Sequence, residues 1–241
     1  MTDRPSVLVP VRVLEGESIP EGVPELLANA HVVLLGYHVV PDQTATGQAR
    51  MQFEERANGR LEKFASLFED AGATVDQRLV FTHDGQKTLD RIIDEHDCLA
   101  VLVPNATAPP TDVLVAVRGT IGVGRLAEVV AGLFGAMDVD VTLYHVAEAD
   151  ESMDDIETFL DGVVDRLTTF GVPESAIETR VETAEKPLAA IAATAEDFDA
   201  VVMGESDPSL TTFVFGMPAD QLAERFLGPV LVVQREESES S

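Results

Sequence analysis

Val7-Leu8-Val9-Pro10-Val11-Arg12 returns at positions 113–118 as Val113-Leu114-Val115-Ala116-Val117-Arg118. The echo continues along the chain. Tyr37-His38-Val39 comes back as Tyr144-His145-Val146, and Cys98-Leu99-Ala100-Val101-Leu102-Val103 as Phe198-Asp199-Ala200-Val201-Val202-Met203, in the same order. A duplicated unit of about 105 residues accounts for such an ordered set of matches, and repetition sets the topology before any single element does.

Inside each copy, short β-branched runs alternate with helical stripes, the pattern of βαβ units around a parallel sheet. In the first copy Val7 to Val11, Val32 to Val40, Val75 to Phe81 and Leu99 to Val103 read as strands, continuous enough in apolar character to be covered on both faces. Phe53, Ala57, Leu61, Phe64, Ala65 and Phe68 form a helical stripe ended by Gly72. Ile156, Phe159, Leu160, Val163, Val164 and Leu167 form its counterpart, ended by Gly171. A second short helix follows in each copy, around Leu89-Ile92-Ile93 and around Leu188-Ile191-Ala192. The copies differ at their ends. After Val103 the first passes through a Pro-rich linker at 104–110 straight into the next strand. After Met203 the second continues through a loop, a helix from Pro218, a Gly228-Pro229 stop and a last strand Val230 to Val233.

The chain has 241 residues, with 43 Asp and Glu against 16 Lys and Arg, a formal net charge of -27, one Cys and 45% apolar residues. That balance excludes nucleic acid and anionic membrane surfaces as partners, because phosphate binding requires a basic face. A lone thiol makes no internal disulfide, and no apolar run is long enough for membrane insertion. The reading is a soluble, cytoplasmic, folded protein. Its dispersed acids suggest a surface suited to molar salt, where charge repulsion is screened within about 3 Å, so stability is expected to rise with KCl.

Candidate chemistry is sparse. The five His residues are dispersed, which predicts no metal site; the nucleophile-elbow and Walker patterns are absent. Gly119-Thr120-Ile121-Gly122-Val123-Gly124 has the wrong glycine order for a dinucleotide loop and reads as a flexible strand-to-helix connection. The equivalent loop of the first copy, Leu14-Glu15-Gly16-Glu17, is different and acidic. No catalytic residue is predicted. In open α/β sheets ligands bind beyond the carboxyl ends of strands, which directs attention to Val201-Val202-Met203-Gly204 and the residues after it.

The Val-Leu-Val opening strands, the second strands ending in His-Val, Ala200-Val201-Val202-Met203-Gly204 and the closing Gly228-Pro229-Val230-Leu231-Val232-Val233 together resemble the universal stress protein family. The resemblance covers nearly the whole chain and points to a tandem, acidic, halophile-type member. It implies an α/β fold of two Rossmann-like (adenine nucleotide alpha hydrolase-like) open parallel-sheet domains in tandem, at 1–110 and 111–241 with an acidic tail from about 236, the first lacking the last helix and strand. Nucleotide-binding members carry Gly-x2-Gly-x9-Gly-Ser/Thr after the fourth strand and an adenine-contacting Asp after the first. Carried over, the family site falls on Ala116, Val117, Arg118, Val146, Met203, Gly204, Asp207, Gly216 and Met217. Here Gly204 matches, Asp207 replaces the second glycine, Gly216 comes one residue early, Met217-Pro218 replaces the hydroxyl, and Arg118 and Arg12 stand in for the Asp. Pro104 replaces even the first glycine of the first copy, which is therefore not expected to bind nucleotide in the family's manner. Asp207 beside a polyphosphate would cost on the order of 4 kcal/mol at an effective dielectric of about 20.

The resemblance therefore implies a regulatory or stress-response binding protein without catalytic activity, the alternative being an ATP- or AMP-responsive sensor that binds nucleotide in the second copy only. It implies a homodimer or an intramolecular pseudo-dimer, with Val230 to Val233 either buried between the copies or available for pairing. By analogy with related domains fused to transporters, it also implies a protein partner such as a transporter or its regulator.

Overall fold

The computed structural model describes residues 4–118, 122–147, 151–204 and 226–234. Strand β1 (Ser6–Arg12) buries Val7, Leu8 and Val9 completely, as a strand covered on both faces must. A short helix α1 (Val23–Leu26) follows, then β2 (His31–Val39), the long helix α2 (Thr46–Ala71), β3 (Thr74–Thr82), α3 (Gly85–Glu95) and β4 (Ala100–Val103). The second half repeats the plan with β5 (Asp112–Ala116), α4 (Val123–Phe134), β6 (Asp140–Ala147), α5 (Met153–Thr169), β7 (Ile177–Thr183), α6 (Pro187–Thr194), β8 (Ala200–Gly204) and β9 (Val230–Val233). The helix from Pro218 expected between β8 and β9 lies outside the described residues. Helix ends follow local chemistry: Gly72, at φ 112°, ends α2 in the left-handed region, and the Asp84 carboxylate caps α3 by accepting the Lys87 N–H at 3.1 Å.

All nine strands among the described residues belong to one sheet, in the order β3-β2-β1-β4-β9-β8-β5-β6-β7. This corrects the expectation of two separate open parallel sheets in tandem. The strands of each half run parallel, but β9 joins the halves: it lies parallel to β8 (Val201↔Val230) and antiparallel to β4 (Ala100↔Val233), which makes the sheet mixed. Of the two placements anticipated for Val230 to Val233, the buried one is found. The first half supplies four strands, and its open edge is closed by β9.

The core follows the sheet across this join. One apolar cluster runs through Val9, Leu102, Leu231, Val202 and Val115 on a single face, covered by α1, α2, α4 and α5 through Leu26, Phe68, Phe134 and Leu167. On the other face α3 covers Leu8 and Val101, while α6 covers Leu114, Met203 and Val232. Side chains stitch the halves together. Asn29 Nδ2 donates to the Leu133 carbonyl at 2.9 Å, Asn105 Nδ2 to that of Phe226 at 2.9 Å, and Thr107 Oγ1 to that of Asp199 at 2.6 Å. Gly22 is required where it stands: at φ 81°, a Cβ there would lie 2.0 Å from the Thr107 carbonyl oxygen.

The halves differ in one respect that positions a cavity. In the second half β5 and β8 stay paired from Val113↔Ala200 to Ala116↔Met203, whereas β1 and β4 pair only at Val7↔Ala100 and Leu8↔Val101. The residue matching Ala116 is Pro10, which has no N–H to offer a neighbouring strand. The strands of the first half therefore separate earlier, just beyond Leu8.

Candidate functional site

Both halves present the carboxyl ends of their strands at a point where neighbouring connections diverge, β1 with β4 and β5 with β8, the usual ligand crevice of an open α/β sheet. In the second half, pairing of Ala116 with Met203 and with Tyr144 brings Ala116, Val117, Arg118, Met203 and Gly204 to one rim. Val146 sits on the adjacent strand, opposite Glu182 of β7. Ala116, Val117, Val146 and Met203 are all buried, so a ligand at this rim would meet mainly backbone, Gly204 and Arg118. Asp207, Gly216 and Met217 lie outside the described residues.

A histidine that the sequence had marked only by its repetition organises this rim. His145 is 4% exposed. Its Nδ1 donates to the Val117 carbonyl at 2.9 Å, and its Nε2 lies 3.2 Å from Glu151 Oε2. It thereby ties the segment leading into α5 to the residue that follows β5. Beneath it, the Tyr144 hydroxyl donates to Glu182 Oε2 at 2.8 Å, and Arg180 lies 5.5 Å over the Tyr144 ring. Burial raises the Tyr144 hydroxyl above its ordinary value, so that it keeps the proton it donates to Glu182. His38, the counterpart of His145, has no such wiring: its ring stands edge-on to Phe53 and Phe81, and its Nδ1 is buried without a hydrogen-bond partner.

The first half carries a cavity of about 190 Å³ where β1 and β4 separate. Pro10, Val11, Val103 and Pro104 form apolar walls, and Arg12, Tyr37 and the loop residues 17–20 form the rest. The Arg12 backbone N–H donates to Glu17 Oε2, its Nε donates to the Tyr37 hydroxyl at 3.2 Å, and its Nη1 lies 3.8 Å from Glu15 Oε2. Arg60 of α2 donates to the Glu17 carbonyl and fastens the loop from behind. Burial raises the Tyr37 hydroxyl above its ordinary range, against a smaller opposing effect of Arg12. Sequence reasoning set this half aside for its Pro104 and acidic loop. The features that build the cavity, Pro10 and Glu17, were visible, but the separation of the strands was not.

Among the described residues there is no cluster of three or more His, Cys, Asp or Glu suited to a metal ion, and no helix long and apolar enough to cross a membrane. Cys98 is buried and its thiol is pushed up to about 11, chiefly by burial, so it is a packing residue.

No family model matches the sequence. No curated protein matches it. Solved structures do. The chain superposes on a universal stress protein from Archaeoglobus fulgidus DSM 4304 with a TM-score of 0.65 at 18% identity, over 97% of each chain. It superposes on a putative universal stress protein from Pseudomonas aeruginosa UCBPP-PA14 with a TM-score of 0.52 at 16% identity, over 97% of this chain and 94% of that one. A functionally unknown protein from Pseudomonas aeruginosa PAO1 gives the same values. At such identities the likeness is one of fold: the chain has the fold of the universal stress protein superfamily.

Proposed function

We propose that this protein is a regulatory binding protein of the universal stress type, acting through what its strand ends and surfaces hold rather than by turnover. The observation that carries this reading is the fold correspondence along 97% of the chain with a universal stress protein. The strand-end chemistry is in keeping with it. Tyr, His and Arg side chains there are spent on one another, on neighbouring carboxylates and on backbone carbonyls, as structural fixtures are. The acidic surface and Lys-poor composition favour a partner that presents basic or neutral groups, and a cytoplasm rich in salt.

Nucleotide sensing in the second half is the second reading, favoured by the convergence of Ala116, Val117, Arg118, Met203 and Gly204 on one rim. Calorimetric titration of ATP and of AMP in molar KCl, with phosphate release followed in parallel, separates the two. Silence in both supports the regulatory binding protein; binding without phosphate release, lost in Gly204→Val, supports the sensor. Steady phosphate release would sink the non-catalytic reading altogether.

A further inference from the structure

The loop after β1 turns back on the strand it has just left. Glu15 N–H bonds to the Arg12 carbonyl at 2.9 Å, Gly16 takes φ 91°, and Glu17 is thereby returned to the end of β1. There its carboxylate accepts the Arg12 N–H, with the second oxygen 3.9 Å from the Arg12 Nε. The groups converging on this spot are a backbone N–H, a guanidinium and the Tyr37 hydroxyl, which accepts from Arg12 and keeps its own proton to donate. That is a donor set for a carboxylate or phosphate oxygen. It stands at the wall of the 190 Å³ cavity, at the crevice where β1 and β4 separate.

We propose that Glu17 is an internal stand-in for a ligand: the first half holds a site for a small oxyanion, a carboxylate or a phosphate group, which its own loop keeps occupied. Three features fit an occupied site better than a loop that merely packs. The contact is made by the carboxylate rather than by an apolar side chain. Arg60 pins the loop backbone at the same residue. The corresponding loop of the second half, 119–124, has no acidic residue in its sequence. Glu15, 3.8 Å from Arg12 Nη1, opposes a second anion and sets the size limit: a single small group can replace Glu17, but a polyphosphate cannot join it. This inference does not depend on whether the second half binds nucleotide.

The test is calorimetric titration with inorganic phosphate against chloride of matched ionic strength. The wild type is expected to show no binding. Glu17→Ala is expected to bind phosphate at least about tenfold more tightly than the wild type, and Arg12→Gln in the Glu17→Ala background to lose it. Glu17→Ser, which keeps a small polar side chain in the loop, is expected to behave like Glu17→Ala. Glu17→Gln, which keeps both the size of the stand-in and an acceptor for the Arg12 N–H, is expected to stay closed. Equal phosphate binding by wild type and Glu17→Ala overturns the proposal. So does silence in both folded Ala and Ser variants, or binding that survives Arg12→Gln.

Discussion

His145 shows how a buried polar side chain can be held by a backbone carbonyl and a carboxylate. The Val117 carbonyl can only accept, so Nδ1 carries a proton, and Nε2 faces the Glu151 carboxylate. Replacing the ring by Ala leaves the Val117 carbonyl without its partner in a place water does not reach. His145→Ala is therefore expected to cost about 1–3 kcal/mol in urea unfolding, against a change within about 0.5 kcal/mol for the exposed Leu67→Ala. Cys98 offers a second measurement at this scale. Its thiol is pushed up from an ordinary 9.0 to about 11, mainly by burial and against a smaller effect of the Ser6 hydroxyl. A group whose folded value is the higher one keeps its proton longer in the folded state, so its contribution is present below pH 9.0 and is lost as pH rises towards about 11. The native protein should resist a thiol reagent at pH 8 for as long as it stays folded, and should react at once in urea; rapid modification without unfolding would contradict the burial argument.

At the scale of elements, β9 is the piece on which most depends. Leu231 is fully buried and packs in the cluster shared by both halves, so Leu231→Ala is expected to destabilise the whole chain by about 2–5 kcal/mol in chemical unfolding. The helical stripes and the continuous strands were legible because their signal is local: Phe64, Ala65 and Phe68 repeat at helical spacing, and Val7 to Val9 is apolar without interruption. The place of β9 was legible only as one of two alternatives, and the antiparallel direction of the β4–β9 ladder was not legible at all. Its hydrogen bonds are between backbones more than a hundred residues apart, and a strand buried on both faces reads the same whether its neighbour runs parallel or antiparallel. Pro10 was equally visible and equally silent, since only the position of β4 shows which N–H is missing. The second-half rim was read in outline from Met203-Gly204, while the network of His145, Glu151 and Val117 depends on where a loop lies, which neighbouring residues do not encode.

For the whole molecule, a single sheet and a core cluster that crosses the join predict one cooperative thermal transition, with the calorimetric and van't Hoff enthalpies equal. Two resolved transitions would show halves that unfold independently. A net charge of -27 on one body also predicts a melting temperature that climbs from dilute buffer to molar KCl; a flat profile would remove the link drawn between composition and salt. The position of β9 carries a last consequence, which concerns time rather than energy. Synthesis delivers β1 to β4 long before residues 230–233 leave the ribosome, so the β4 edge waits through the making of more than half the chain with its N–H and C=O groups unpaired. A nascent chain arrested before Val230 would expose both the β4 and the β8 edges. Such intermediates are open to strand pairing with other chains, and the first half becomes safe from aggregation only when the final strand arrives.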